Sequence, residues 1–479
     1  MSRDKVKVFR DPVHGYIPVS SWICECFIDT PIFQRLRSIE QTSMRPLFPA
    51  ARHDRFAHSM GVFHLAGTAF SNLLKNTKPA LLRGVKIRDY ERSFLAAALL
   101  HDCGHAPFSH IFEEYLNQNS RAERLLFSLA GKEFERDYNQ NYDQGKGPAA
   151  HEVFSAAIFL KHYKDSFNQF APNKDPVLVA RMITGCVHPI ADTTQKEVEN
   201  CLIRLINGPA IDMDKLDYIL RDTWASGINN ASIDVQRLLS AIRIDKYGES
   251  LRPVFDKSAL SVIQSVIDGR NHLYRWIYSH HTVQYYCQLL KDALLAVSKI
   301  VSPVNDPDKM LDVIFSEAVF ETQVKVSDDV SFYLPCDGDI LYLLKRYYPN
   351  IPEAQEILGR RPRRLPLWKT QAEFDLIFAS KDRDERNIIR ANAQDTLFNK
   401  LGIPRDSTLA IPVKPSPVEI RDIGRVIVSL RGSTHRYSEI VSQPATIDSA
   451  SYFLVFISRD YSDKTSDCIK ALSSVKAYS

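Results

Sequence analysis

His101-Asp102-Cys103-Gly104-His105-Ala106-Pro107-Phe108-Ser109-His110 decides how the rest of the chain is read. It follows Ser93 to Leu100, a run rich in Ala and Leu whose helix should end near Gly104. Adjacent side chains on a helix point about 100° apart, because a turn takes 3.6 residues. His101 and Asp102 can therefore share a cation only if it lies over the edge between them. The remaining ligands must come from other helices, and two further segments offer them: Arg55-Phe56-Ala57-His58-Ser59 and Asp212-Met213-Asp214-Lys215-Leu216-Asp217-Tyr218. A single histidine is ordinarily a satisfied core or surface residue. Here six of 14 (His53, His58, His64, His101, His105, His110) fall within residues 53–110. Burying His101 and Asp102 without a partner would be costly, and a metal is the simplest compensation. Two imidazoles and two carboxylates suit Mn, Fe, Zn, Ni or Co better than Mg or Ca.

Two polar stripes accompany this constellation. Asp214, Tyr218 and Asp222 stand at i, i+4 and i+8 of a helix expected over Asp212–Thr223, with Lys215 beside them. Arg270, Tyr274 and Tyr278 repeat the spacing on a long candidate helix from about Ala259 to Ser298, which has no proline. Arg presents a planar fork to phosphate, and Tyr a stacking face with a polar tip. A tyrosine stripe alone is as readily ordinary core; two stripes beside a metal constellation favour a nucleotide site. Glu113 stands three residues after His110 and could orient its ring if the helix resumes. His151-Glu152 adds a histidine at a helix start.

At 479 residues, two or more domains are expected. Apolar spacing is mostly helical from about 56 to 300, with further helices near 308–320, 338–348 and 353–358. The text between Asn117 and Ala150 is polar and reads as a loop insertion. Ser407–Val413, Arg425–Arg431 and Ser451–Arg459 alternate as strands do, and Pro412, Pro415 and Pro417 punctuate a loop after the first. The fold expected is mainly α: a helical unit over 1–380 and a small α/β domain over 381–479. A net charge of +4 does not by itself mark a nucleic-acid binder. The basic run Gly359-Arg360-Arg361-Pro362-Arg363-Arg364 is a solvated loop or a phosphate contact. No segment has the roughly 20 apolar residues that span a bilayer. The N-terminus shows no signal core, so a cytoplasmic protein without membrane contact is expected. Eight cysteines form no CxxC pair and read as reduced thiols. The usual glycine-rich phosphate loops are absent from the sequence.

At these residues the chain resembles the HD-domain phosphohydrolases, whose H…HD…D pattern appears as His58, His101-Asp102 and Asp214. More narrowly it resembles the dNTP triphosphohydrolases. The supporting strings are Asp11-Pro12-Val13-His14-Gly15, Phe33-Gln34-Arg35-Leu36-Arg37, Arg55 to Ser59, His101 to His110, Asp212 to Asp222, and Arg270-Asn271 with Tyr278 and His280. The similarity runs from about residue 5 to 370, and the chain is expected to lack the sterile-alpha-motif domain that some members carry.

The resemblance implies an HD-domain helical bundle in which His58, His101, Asp102 and Asp214 bind one divalent transition metal, with Mg accompanying the triphosphate. It implies Arg55, Lys215 and Tyr218 near the phosphates and Arg270 on the terminal ones. Gln41 and Asp222 would hold the sugar 3′-hydroxyl. Tyr278, with Tyr274 behind it, would stack on the sugar and exclude a 2′-hydroxyl. His105, His110 and His151 would surround the α-phosphorus, with Glu113 where the family pattern has Asp. The products would be a deoxynucleoside and inorganic triphosphate. Such proteins are often nucleotide-activated tetramers. Lys7, Val8, Asp29 and Arg37 match residues that recognise the activating nucleotide, and Arg364 and Lys369 its later basic contacts. A homo-oligomer (tetramer or dimer) with GTP or a dNTP as activator is the corresponding expectation. Two alternatives stay open: hydrolysis of another nucleotide or of nucleic acid, and a nucleotide-sensing protein with little catalysis.

Overall fold

Turn chemistry opens the structure. β1 (Val6–Asp11) and β2 (Gly15–Ser20) form an antiparallel hairpin. Asp11 Oδ1 accepts the N–H groups of Val13 and His14 at 2.9 and 2.8 Å, and Gly15 takes φ 77°. The computed structural model describes residues 5–117, 120–142, 147–209, 211–228, 233–301, 307–312, 314–315, 323–327, 329–413, 425–441 and 451–475.

The helices that carry the histidines follow. α1 (Arg55–Asn76) is capped by Asp54, whose side chain accepts Ala57 N–H at 2.8 Å. α2 (Glu91–Leu100) ends at His101, three residues before Gly104, near which it was expected to stop. The stretch expected to be a loop holds two helices instead, α3 (Ser120–Ala130) and α4 (Lys132–Tyr142). Their few apolar residues recur at helical spacing, and Leu126, Phe134 and Tyr138 are buried; the polar composition masks that stripe. α5 (Ala150–Ile158) passes into a π-turn over Phe159–Tyr163. α6 (Pro176–Thr184), α7 (Thr194–Ile206) and α8 (Met213–Ser226) complete the layer, α8 being capped by Asp212 on Lys215 N–H at 2.7 Å.

The long helix expected over Ala259–Ser298 is broken. α9 (Leu260–Leu273) runs into a π-turn over Tyr274–Tyr278, and α10 (His281–Val301) restarts after Ser279 and His280. Side chains hold the break: His280 Nδ1 accepts Thr282 N–H at 3.2 Å, and Gln284 Nε2 donates to Tyr278 O at 2.6 Å. Helical spacing is also interrupted by the antiparallel pair β3 (Ile242–Tyr247) and β4 (Ser250–Asp256). A third hairpin, β5 (Gln323–Ser327) and β6 (Val330–Tyr333), precedes α11 (Asp337–Arg346). Of the helix expected at 308–320, Pro307–Asp312 is helical and 316–320 lie outside the described residues.

The C-terminal strands separate. β7 (Arg364–Pro366), β8 (Thr408–Pro412) and β11 (Phe453–Ser458) make one antiparallel sheet in the order β7-β11-β8. β9 (Ile427–Leu430) and β10 (Ser433–Arg436) join the earlier hairpin in the order β10-β9-β4-β3, with β9 parallel to β4 and Ile427 opposite Val254. Two hydrophobic cores result. The larger holds the helices around the histidines together with Val428 and Tyr437. The smaller gathers Leu367, Trp368, Phe374, Phe453 and Leu472 against Tyr285 and Leu289 of α10. Residues 367–378 therefore pack with the C-terminal strands and 427–437 with the helical unit. This redistributes residues across the expected boundary at 381. Pro415 and Pro417 lie outside the described residues.

All eight cysteines are free. Among the described residues no helix is long and apolar enough to cross a membrane.

Candidate metal centre and the adjoining pocket

Three helices converge on one point. His58 projects from α1, His101 and Asp102 from the end of α2, and Asp214 from the first turn of α8. Ligand atoms of His58, His101 and Asp214 lie within 4.8 Å of one another. His58 Nε2 is 3.0 Å from Asp214 Oδ1, 3.5 Å from Asp102 Oδ2 and 3.3 Å from His101 Nε2. Asp102 Oδ1 is 3.4 Å from His101 Nε2. The four predicted ligands are thus brought together, and the donor set fits a divalent cation.

What lies behind the ligands fits as well. His58 Nδ1 meets Asp217 Oδ2 at 2.8 Å, and His101 Nδ1 meets Ala98 O at 2.9 Å, so both rings turn Nε2 inward. Asp217 is itself held by His14 Nε2 at 2.6 Å and by Arg221 Nε at 2.8 Å, and Arg221 reaches Asp11 at 2.8 Å. Burial disfavours an imidazolium at His58, yet hydrogen bonds donated to Asp214 and Asp217 outweigh it and raise the group to about 10. Burial also opposes charge on Asp214, but His101 and His58 hold it well below the usual carboxylate range. A cation at Nε2 would answer the same carboxylates. Close helix contact makes this possible: a Cβ on Gly61 would fall 1.9 Å from Asp217 Oδ1, and one on Gly104 2.4 Å from Ser155 N.

Beside it lies a second cluster. The rings of His105 and His151 stack at 3.9 Å with an interplanar angle of 18°. Glu113 bridges His110 Nδ1 at 3.0 Å and His151 Nδ1 at 2.9 Å. His151 therefore joins the cluster from α5, across the α3–α4 insertion. Burial opposes ionisation of Glu113, but the His110 charge and both hydrogen bonds hold it low. Burial lowers His110 despite Glu113, whereas at His151 the Glu113 hydrogen bond overcomes burial and raises it. His105 is driven well down by burial and then by Arg55, and its Nε2 lies 3.3 Å from Asp102 Oδ1. A cleft lined by His101, His151, Glu152, Asn207, Asp212 and Asp214 opens between the clusters.

The expected substrate residues divide. Gln41 Oε1, Tyr218 Oη and Arg270 Nε and Nη1 are buried without partners. Arg270 stands 5.9 Å over the Tyr274 ring, within the field of Asp212 and Asp214. Others are already engaged. Arg55 binds Asp102 at 2.7 Å, Ser109 Oγ at 2.8 Å and Gln41 O at 3.2 Å. Lys215 Nζ donates to Gly208 O at 2.9 Å and to Asp212. Asp222 accepts from His53 Nε2 at 2.7 Å and from Tyr278 Oη. Arg55 and Lys215 thus brace carboxylates in this structure.

The expected activator residues lie elsewhere. Lys7 pairs with Asp29 at 2.7 Å on the exposed hairpin, where Val8 is also exposed, and Arg37 stacks 3.4 Å over Phe56. Arg364 donates to Asp406 O at 2.8 Å from β7, and Lys369 is exposed five residues on.

An HD domain model matches residues 55–183, the span from the start of α1 to the end of α6. Residues 55–183 thus form an HD domain. Among curated relatives, this HD-domain chain is 28% identical over 355 residues to human deoxynucleoside triphosphate triphosphohydrolase SAMHD1, covering 68% of this chain and 52% of that protein. It is 30% identical over 276 residues to the uncharacterized protein YwfO of Bacillus subtilis, covering 57% and 52%. The Dictyostelium discoideum SAMHD1 homolog matches at 28% over 320 residues, 65% of this chain and 54% of that one. The HD-domain chain spans about half the length of these relatives. In fold it is similar to the crystal structure of a hypothetical protein from Aquifex aeolicus, at a TM-score of 0.62 and 19% identity, over 97% of this chain and all of that one.

Sequence reasoning assigned no role to Asp217, His14, Arg221 or His53. Asp217 had a usable signal: a second carboxylate three residues after Asp214. His14 and Arg221 lie 203 and four residues from Asp217, and only folding makes them one network.

Proposed function

We propose that the HD-domain chain is a metal-dependent phosphohydrolase that cleaves deoxynucleoside triphosphates to deoxynucleoside and inorganic triphosphate. One observation carries this reading. Ligand atoms of His58, His101 and Asp214 lie together with Asp102 beside them, and polar atoms of Gln41, Tyr218 and Arg270 are buried without partners inside the protein. Buried polar groups left unsatisfied cost stability, so they mark a ligand. The triphosphohydrolase activity for which the SAMHD1 relatives are named supports a deoxynucleoside triphosphate as that ligand.

His58, His101, Asp102 and Asp214 would hold the cation, with Mn, Fe, Zn, Ni or Co suited to the donors and Mg accompanying the phosphates. Such an ion polarises a phosphoryl oxygen and acidifies bound water. The chain supplies the rest. Arg270 offers its free nitrogens to phosphate oxygens and offsets their charge. Glu113 bridges His110 and His151, and His110, half-exposed, would pass a proton to the leaving 5′-oxygen. Tyr278, pinned to Asp222, presents a ring to the sugar face. Lys7, Val8, Asp29 and Arg37, with Arg364 and Lys369, would receive an activating GTP or dNTP in a homo-oligomer.

The test is a product assay. Metal-loaded protein is incubated with each dNTP and NTP, with and without GTP, and the products are read by phosphorus NMR. Triphosphate from dNTPs alone is expected. Pyrophosphate or monophosphate, equal turnover of NTPs, or no turnover would overturn the reading.

A further inference from the structure

The loop that delivers His110 is bent against its own preference. Phe108 and Ser109 are consecutive non-glycine residues at φ 57° and 54°, where an L side chain crowds its own carbonyl. Strain of this kind persists only where the surroundings over-determine it.

The surroundings here come from more than 200 residues away. Asp337, the first residue of α11, is buried; its Oδ1 accepts Phe108 N–H at 2.6 Å and its Oδ2 accepts Glu40 N–H at 2.8 Å. Arg35, also buried, donates from Nε to Pro335 O at 2.7 Å and from Nη2 to His105 O at 2.6 Å. The turn closes on itself through Cys336 N–H to Asp339 Oδ2 at 2.8 Å. Ser109 Oγ donates to Glu40 O at 2.5 Å and accepts Arg55 Nε at 2.8 Å. The 335–339 turn, with Arg35, therefore clasps both ends of the segment between the metal ligands and His110. Ile111 N–H returns to Phe108 O at 3.2 Å, so the short helix bearing His110 starts from the twisted peptide itself.

We propose that Asp337 is a positioning residue: by accepting Phe108 N–H it fixes the left-handed kink that aims His110 at Glu113 and the metal centre. It touches neither ligands nor substrate. Its kinetic consequence rests on the hydrolase reading; its structural consequence does not.

The experiment separates the two. Asp337→Ala is compared with the wild-type full chain for amide exchange of the peptide covering residues 106–112, for bound metal, and for kcat and KM on dNTPs. Faster exchange at 106–112, unchanged metal content, and kcat down about 10- to 100-fold with KM within about twofold are expected, since a small misplacement costs that much. Phe108→Gly, which adopts the left-handed region freely, should recover most of the lost kcat in the Asp337→Ala background, whereas a general packing defect would not respond. If Asp337→Ala does not fold, Asp337→Asn carries the same measurements, with a smaller effect from its single accepting oxygen. Unchanged exchange, unchanged kcat, a loss that tracks metal depletion, or no recovery with Phe108→Gly would overturn the proposal. A wild type inactive on dNTPs overturns the hydrolase reading, and the exchange comparison still decides the clasp.

Discussion

Around His58, three of the four candidate ligands lean on a partner behind them: His58 on Asp217, His101 on Ala98 O, Asp102 on Arg55. Tyr218 Oη, Gln41 Oε1 and two nitrogens of Arg270 are buried as well and have none. The first region is wired so that its geometry survives without a ligand. The second leaves donors and acceptors unsatisfied, which disfavours the folded state until something enters. On the proposed reading, the partnered groups are framework and these unpartnered ones would meet substrate.

The largest expected effect breaks the first region. Asp214→Ala removes a ligand that both His58 and His101 face. It should abolish metal retention by elemental analysis and lower turnover by at least about 1,000-fold, several kcal/mol. A variant that keeps its metal and its rate would show that the cluster is not the centre. Next comes the second region. Arg270→Ala should lower kcat/KM by about 100-fold, near 2.7 kcal/mol, while thermal stability stays within about 1 kcal/mol or rises, because unpaired buried donors leave with the side chain. A large fall in Tm would mean that Arg270 is framework after all.

The smallest catalytic effect sharpens the contrast with a partnered pair outside both regions. Glu199 accepts His188 Nε2 at 2.8 Å and Gln195 Nε2 at 3.0 Å. Burial works against its carboxylate, but these hydrogen bonds outweigh it and lower the group below its usual range. A lowered folded value means that the carboxylate contributes stability above its unfolded pKa and loses it as pH falls through the folded one. Glu199→Gln should therefore cost about 1–3 kcal/mol near pH 7. The gap from wild type should narrow in denaturant melts as pH drops below about 4.3. Turnover should change less than twofold. A deficit independent of pH would remove the charge from the account.

The metal ligands were legible because chemistry and local pattern coincide in them: an apolar run ends at His101-Asp102, and α2 does end there. Asp214, Tyr218 and Asp222 could be placed on one helix for the same reason, and α8 carries all three. What could not be read depends on distant residues. The π-turn at Tyr274–Tyr278 is fixed partly by Tyr278 Oη on Asp222, 56 positions upstream. Proline-free text gives no hint of it. The helices α3 and α4 hid behind polar composition, although their buried residues keep a helical stripe. The bracing roles of Arg55 and Lys215 were missed because a basic side chain near phosphate chemistry reads as a phosphate ligand until its carboxylate partner is seen.

The parallel pairing of β9 with β4 also bears on synthesis. Chains emerge from the ribosome N-terminus first, and domains fold as units. While translation has reached only the 360s, every metal ligand is already made, yet β4 still exposes an open edge that residues 427–429 will cover. Unpaired strand edges recruit other chains. A nascent or truncated polypeptide stopping short of residue 436 would therefore carry the full set of ligands together with an adhesive border, and its first hazard would be aggregation before any defect in chemistry.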